Sequence, residues 1–342
     1  MGRARLLLLP FSILYWLGVV VRNWFFDIGI LKIENIGVPV ISIGNLSTGG
    51  VGKTPFVEML IERLIANCKL SVVSRGYGRK TAGTVVVSDG HGRIESVENS
   101  GDEPSQLAQK YPALIVIADE KRVSGTRKAM ELGAKLILLD DGFQHRYLHR
   151  DLNLVLMTAE EILDGDFLLP AGNRREPVCS LERADLVVIS RCKDIKEYES
   201  VCVLGRKRNL FPTDMLTIGL QTKLKSFKRP WSSEIVESKN FTGKKVIAFS
   251  GIGNPKPFED ILTKADVILA KHIVFADHHW YTERDIDTVV QAKKEYSADY
   301  IVTTEKDVAR LKSIFGKFGI AICLPILTLK YLSPSLNLSL KI

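Results

Sequence analysis

Hydrophobic positions along the chain fall into short continuous runs separated by stretches with helical spacing. The first run, Leu6 to Val21, carries no charge and is flanked by Arg3, Arg5 and Arg22. The second, Val38 to Ile43, leads through a glycine-rich turn into a helical pattern on Phe56, Val57, Leu60 and Leu64. Further apolar runs at Leu70–Ser74, Thr84–Val87, Leu114–Ala118, Lys135–Leu139, Leu152–Met157 and Leu186–Ile189 predict strands. Strands that are apolar throughout, rather than alternating, are buried on both faces. The pattern therefore predicts an α/β fold with a mostly parallel sheet covered by helices.

The stretch from about Arg206 to Thr242 is charged, weakly periodic and contains proline, so a domain boundary is expected there. A second α/β alternation begins at Lys245. It has strand Val246–Phe249, a helix near Pro257–Thr263, strand Ala265–Ala270, a helix near Glu283–Lys294, strand Tyr300–Thr303 and helix Lys306–Ser313. Ile320 to Leu329 supplies one or two last strands. The expected organisation is a hydrophobic helix over 1–28, a core domain over 29–215, a smaller C-terminal α/β domain over 216–325, and a terminal segment, 326–342, returning to the core.

As a helix, Leu6–Val21 spans about 24 Å, short of the roughly 30 Å hydrocarbon core of a bilayer. Trp16, Trp24, Phe25 and Phe26 suit the interfacial zone and the flanking arginines suit anionic headgroups. A cleaved signal peptide would need a small-residue cleavage site, and Val19–Arg22 offers none that convinces. A buried core helix is the alternative; a helix inserted at or shallowly into a membrane is the expectation.

The 342 residues are enough for two domains, and 46% hydrophobic with 25% charged residues is the composition of a folded globular protein. The net charge of +8 favours anionic partners, whether nucleic acid, acidic lipid or a phosphorylated substrate, and does not choose among them. The five cysteines form no C-x-x-C pair and no zinc spacing, as expected of reduced thiols in a cytosolic protein.

The chemistry gathers first at Ser47-Thr48-Gly49-Gly50-Val51-Gly52-Lys53-Thr54, between the Val38–Ile43 strand and the following helix. This is the context of a P-loop: glycines let backbone N–H groups face a phosphate, and the helix N-terminus adds its positive end. Lys53 would reach the β- and γ-phosphates, and the Thr54 hydroxyl would hold Mg²⁺. The strict pattern has glycine where this chain has Ser47.

Lys135–Asp141 is an apolar strand ending in Asp140 and Asp141, the form of a strand that places acids on Mg²⁺. Two carboxylates capping a turn is the competing explanation. In Gly101-Asp102-Glu103-Pro104, Asp102 either caps a helix or accepts a proton from an attacking hydroxyl. Asp277-His278-His279 is no metal pair by spacing, since adjacent side chains diverge; a His beside an Asp can act as an oriented acid or base. Arg174-Arg175-Glu176 could clamp a phosphate or simply be solvated. Gly251-Ile252-Gly253 is a lone G-x-G loop and weak evidence.

Taken in order, these pieces resemble one family, the tetraacyldisaccharide 4′-kinases of lipid A biosynthesis. The resemblance rests on Gly44-Asn45 with the P-loop, Ser74–Gly78, Gly101–Pro104, Asp140-Asp141-Gly142-Phe143-Gln144-His145, and Leu169–Gly172 with Arg175-Glu176-Pro177. Gly251–Pro255, Phe275–His279 and Thr304-Glu305-Lys306-Asp307 complete it. It implies a P-loop core domain and a smaller C-terminal domain that close over ATP. It also implies transfer of the γ-phosphate to the 4′-hydroxyl of a tetraacylated glucosamine disaccharide 1-phosphate, giving lipid IVA. By the same resemblance Asp102 is the base, assisted by His278 in an acid–base dyad. Lys53 and Thr54 serve phosphate and Mg²⁺, and Asp140, Asp141 and Gln144 serve the metal site or its surroundings. Arg75, Arg175 and Glu176 face the substrate. Ala276, where proline is expected, and Asn173-Arg174 depart from the family pattern.

The rival is a P-loop switch or metallochaperone-type ATPase, which has no need of Asp102, His278 or a lipophilic N-terminus. The kinase reading implies an acylated disaccharide and a membrane surface as partners, with no nucleic acid and no protein partner. It places the protein on the cytoplasmic face of a bacterial inner membrane.

Overall fold

Continuous apolar runs can bury both faces only side by side, and in the computed structural model, which describes residues 3–230, 234–315 and 322–332, they do so. The chain divides into two compact units. The first runs to Gln221 and regains the chain at Tyr331; the second is Thr222–Lys330.

In the first unit, helices α1 (Arg3–Leu7) and α2 (Leu9–Asp27) precede β1 (Val40–Asn45), α3 (Lys53–Leu64), β2 (Leu70–Ser74) and β3 (Val85–Asp89). Next come α4 (Val97–Ser100), α5 (Asp102–Lys110), β4 (Ile115–Ala118), α6 (Arg122–Glu131) and β5 (Leu136–Asp140). The unit continues with β6 (Leu152–Thr158), α7 (Ala159–Asp164), β7 (Leu186–Ser190), α8 (Ile195–Lys207) and the start of β8 (Leu216–Lys228). The strand order is β8-β7-β6-β1-β5-β2-β4-β3. All neighbours are parallel except β3, which runs antiparallel to β4 at the edge. Every residue of β1, β2, β4, β5 and β7 is buried, as their unbroken apolar character requires. β1 lies between β5 and β6, so its carboxyl end opens where such sheets bind ligands.

The second unit takes the far end of β8 and adds β9 (Ile235–Glu237), β10 (Lys245–Ser250), α9 (Lys256–Lys264) and β11 (Ile268–Val274). It continues with α10 (Glu283–Glu295), β12 (Tyr300–Val302), α11 (Glu305–Phe315) and β13 (Ile322–Tyr331). Its strands run β11-β10-β12-β13, all parallel, while β9 is antiparallel to the end of β8. A capping box between Thr282 and Asp285 starts α10.

Two segments differ from the sequence pattern. The charged stretch 206–242 contains the 13-residue strand β8, whose buried residues form two short groups, Ile218–Leu220 and Ser226–Phe227, split by half-exposed and exposed positions, so no continuous apolar run marks it. β11 starts at Ile268 rather than Ala265, because Ala265–Val267 close the end of α9: both the Ala265 and Val267 amides donate to the Leu262 carbonyl. Residues 333–342 of the expected terminal segment lie outside the described residues.

Helix α2 inverts the usual arrangement. The stripe facing its own unit carries Ser12, Tyr15, Arg22, Asn23 and Phe26, and most of these are anchored by hydrogen bonds. The Ser12 hydroxyl donates to the Leu168 carbonyl (2.9 Å) and accepts from the Ala171 amide (3.0 Å). Tyr15 donates to the Arg175 carbonyl (2.9 Å), Arg22 to the Gln144 carbonyl (2.6 Å) and Asn23 to the Glu176 carboxylate (3.1 Å). Outward stand Phe11, Ile13, Leu14, Trp16, Leu17 and Trp24; Ile13 is 64% and Leu14 66% exposed. The helix is 19 residues long and apolar enough, by length and composition, to cross a membrane.

Tight packing at the carboxyl end of β1 gives the first test. A Cβ on Gly44 would lie 2.5 Å from the Phe143 Cβ and 2.8 Å from its amide nitrogen, whereas one on Gly18 meets nothing within 4 Å. Gly44→Ala should lower stability by about 1–3 kcal/mol in denaturant melts, and Gly18→Ala should not lower it. Equal stability for Gly44→Ala and wild type would show that the Asp140–Phe143 turn does not press on β1.

Candidate active site

The loop Ser47–Thr54 leaves the carboxyl end of β1 and enters α3. Gly52, at the helix N-cap, has φ +88°, a left-handed conformation that glycine adopts without penalty. Ser47 takes the place of the usual first glycine without strain, because it pairs in an antiparallel bridge with Arg174, and extended backbone suits any residue. The loop is braced from outside. The Thr48 amide donates to the Asn173 carbonyl (2.8 Å), the Ser190 hydroxyl to the Val51 carbonyl (2.6 Å), and the Arg191 guanidinium to the Gly50 carbonyl. Thr48, Gly49 and Gly50 form an exposed crest.

Strand register brings the acids to this loop: β5 pairs with β1 so that Asp140 stands opposite Ile43. One residue on, Asp141 (φ +51°) turns its carboxylate into a cluster of charge. Lys53 Nζ lies 3.0 Å from Asp141 Oδ1 and donates to Asn45 Oδ1 at 2.7 Å. Arg175 grips Asp141 with two bonds of 2.8 Å and also donates to Asn45 Oδ1. Burial opposes ionisation of Asp141, but the hydrogen bonds and charges of Arg175 and Lys53 outweigh it and hold the carboxyl far below the usual carboxylate range.

Asp140 has the opposite environment. Burial, and then the negative charge of Glu103, push it up to about 7 against the pull of Lys53. Gln144 donates from Nε2 to the Asn45 carbonyl (2.9 Å), while its buried Oε1 has no partner. The Asp140 carboxyl, whose ionised form a bound cation would favour, and an orphaned amide oxygen beside a P-loop fit a hard cation with oxygen ligands. Among the described residues there is no group of three or more His, Cys, Asp or Glu able to hold a metal alone. Mg²⁺ takes one or two protein oxygens and completes its shell with phosphate and water.

The Asp102 loop is built by glycine contact. A Cβ on Gly101 (φ +88°) would come within 2.8 Å of the Tyr77 carbonyl, and one on Gly76 (φ +68°) within 2.8 Å of the Ser100 carbonyl. The Ser74–Gly78 and Gly101–Pro104 segments are thus pressed together, and Asp102 and Glu103 occupy the first turn of α5. Arg75 is exposed, and its charge acts on Arg122.

Of the residues expected from sequence, the structure gathers Lys53, Asp140, Asp141, Gln144 and Arg175 around the loop. Glu176 is fully buried, held by Asn23 and paired with Arg183, so its carboxylate anchors α2. Sequence reasoning missed Asn45, which joins Lys53 to Arg175, and Glu103, whose charge reaches Asp140. It also missed Arg122, a buried guanidinium donating to the Asp119 carbonyl (3.1 Å). Asn45 and Glu103 sit inside the quoted motifs; nothing in the sequence marks Arg122 apart from other arginines.

In the second unit, His279 is built into the fold. Its Nε2 lies 3.0 Å from Asp285, and its ring stacks on Phe275 at 4.8 Å. His278 (φ +59°) stands further out, its Nε2 3.9 Å from Asp277 Oδ1.

The raised Asp140 predicts a pH dependence. The folded group binds a proton that the unfolded chain has released, so its contribution favours folding at low pH and is lost as pH rises from about 4 to about 7. Asp140→Asn removes this slope. In thermal melts without metal, the variant should gain stability over wild type as pH is raised from 5 to 8. A difference that does not change with pH would contradict a buried, protonated Asp140.

Comparison with known proteins bears on this geometry. The family model described as tetraacyldisaccharide-1-P 4′-kinase (LpxK) matches residues 4–334. The chain is 38% identical over 312 residues to the tetraacyldisaccharide 4′-kinase of Porphyromonas gingivalis, covering 88% of this chain and 85% of that protein. It is 36% identical over 317 residues to that of Geobacter metallireducens, covering 92% and 90%. The crystal structure of LpxK from Aquifex aeolicus in complex with ATP matches with a TM-score of 0.75 and 34% identity, over 96% of this chain and 95% of that one. With its P-loop, paired acids and second α/β unit, the chain belongs to the tetraacyldisaccharide-1-P 4′-kinase family.

Proposed function

We propose that this chain moves the γ-phosphoryl group of ATP onto the 4′-hydroxyl of a tetraacylated glucosamine disaccharide 1-phosphate, giving lipid IVA, with Asp102 as base and His278 assisting. The observation that carries the donor side is Lys53, held at the start of α3 by Asp141 and Asn45. Phosphate oxygens offer Lys53 stronger partners, so ATP can draw it from Asp141 while Arg175 keeps that carboxylate ionised. Asp140, Gln144 and Thr54 would hold Mg²⁺, which when bound neutralises charge on the transferring phosphate. The proton of the 4′-hydroxyl passes to Asp102, the sugar oxygen bonds to the γ-phosphorus, and the bond to the ADP oxygen breaks. Asp102 is assigned as base by its place in the Gly101–Pro104 motif, at the start of α5. His278 is assigned by its place in the Phe275–His279 motif, and Arg75 by its exposure at the end of β2. Family membership replaces the switch-ATPase reading.

The outward face of α2 supports docking on the cytoplasmic surface of the inner membrane, where such an acceptor lies. A helix that buries hydrogen-bonding side chains and shows leucine, isoleucine and tryptophan to solvent has its apolar partner outside the fold.

Two outcomes test the proposal. With radiolabelled ATP, wild type should label the acylated disaccharide, and Asp102→Ala and His278→Ala should each lower kcat by about 10²–10⁴-fold. Normal transfer by both variants would remove the dyad, and no labelling by wild type would remove the acceptor. Replacing Ile13, Leu14 and Leu17 together by serine should weaken co-sedimentation with anionic vesicles while leaving the melting temperature in place. Deletion of α2 is the poorer test, since it strips hydrogen-bond donors from the Gln144 and Arg175 carbonyls. Undiminished vesicle binding by the triple variant would exclude this face as the docking surface.

A further inference from the structure

Two consecutive residues at the end of β7 hold two consecutive carbonyls of the phosphate loop. The buried Ser190 hydroxyl donates to the Val51 carbonyl (2.6 Å), and the half-exposed Arg191 guanidinium donates to the Gly50 carbonyl. Arg191 has φ +60°, a left-handed conformation that only glycine adopts without strain. The turn that imposes it is fastened on its far side. The Cys192 amide donates to the Leu220 carbonyl (3.2 Å), the Gln221 side chain to the Lys193 carbonyl, and Asp194 caps α8 by accepting from the Glu197 amide (2.8 Å). Strained residues held this firmly cluster at ligand sites.

Strand order decides which end of a nucleotide reaches this turn. The paired acids follow β5, on one side of β1, while β7 lies on the other side, beyond β6. Lys53 meets Asp141, on the β5 side, at 3.0 Å. A nucleoside triphosphate is a linear chain. With its γ-phosphate at Lys53 and its β-phosphate in the loop, its nucleoside leaves toward β7, where Arg191 stands. A guanidinium is planar, always charged and weakly hydrated, and it stacks on aromatic faces. The bond to Gly50 already holds it against the loop, so less side-chain freedom is lost when a ring settles on it.

We propose that Arg191 is the shelf for the nucleobase of the donor, which lays its face on the guanidinium at the end of β7. This rests on the donor-side reading above, in which the phosphates of ATP draw Lys53 from Asp141. The contact with Gly50 then sets the base at a fixed place relative to the loop that holds the phosphates. A lysine could reach the Gly50 carbonyl as well; the flat face is what a base requires in addition. Arg191 takes no part in moving a proton or the phosphoryl group.

Titration calorimetry of the full chain with Mg²⁺ and either β,γ-methylene-ATP or inorganic tripolyphosphate separates a base contact from a brace of the loop. Arg191→Ala should weaken binding of the ATP analogue about 10-fold more than binding of tripolyphosphate. An equal loss for both ligands would make Arg191 a brace only and overturn the proposal. Arg191→Lys keeps a donor for Gly50 without the plane, so it should bind tripolyphosphate as wild type does and the analogue more weakly; wild-type affinity for the analogue would also overturn it. In carbon–proton spectra of arginine-labelled protein, the Arg191 Cδ protons, assigned through Arg191→Lys, should move upfield with the analogue and stay in place with tripolyphosphate. No upfield movement with the analogue would contradict stacking. Should Lys53→Ala leave both affinities unchanged, the donor-side reading fails, while a loss confined to the analogue in Arg191→Ala would still establish the base contact.

Discussion

The carboxylate of Asp141 is the point on which the candidate site depends. It is tied to Lys53 from α3 and to Arg175 from the loop after α7, and both cations also meet Asn45 at the end of β1. Ion pairs withdrawn from water regain their desolvation cost only when geometry is good and the remaining donors are satisfied. Here the bidentate arginine and the shared asparagine oxygen supply the geometry, while the buried Arg175 Nε has no partner among the described residues. The result is a lysine pre-positioned at the mouth of a phosphate loop, and an acid kept ionised beside another, Asp140, that is kept protonated.

The N-terminal helix is coupled to the same cluster. Tyr15 bonds to the backbone of Arg175, and Arg22 to that of Gln144. Asn23 and Arg183 hold the buried Glu176, next in sequence to Arg175. The helix therefore has two surfaces with separate tasks: polar groups inward, bracing the loops that carry Arg175 and Gln144, and apolar groups outward. One helix thereby links its outward apolar face to the loop that carries Arg175.

Much of the fold was legible because its strands are apolar without interruption. The β1–P-loop–α3 unit, the acids at the end of β5 and most strands of both units follow from periodicity and glycine placement alone. β8 was not legible, because half-exposed strands rich in lysine and threonine lack both the alternating and the continuous signal. The start of β11 was misplaced since local hydropathy cannot see the turn that closes α9. In the site, sequence marks residues whose type is unusual for its setting, such as Lys53 after Gly52 or Asp140 after four apolar residues. It does not mark Arg122, a buried arginine at an ordinary helix start. Nor does it show that Glu176, a charged residue in a loop, turns inward to hold a helix from the N-terminus.

The central claim is that Lys53 waits on Asp141 for the phosphates of ATP. The most direct measurement is a crystal structure of the full chain with a non-hydrolysable ATP analogue and Mg²⁺. The account predicts Lys53 Nζ on the β- and γ-phosphate oxygens, Arg175 still paired with Asp141, and the metal on an oxygen of Asp140 or Gln144. Phosphates bound elsewhere, with Lys53 still on Asp141, would contradict it.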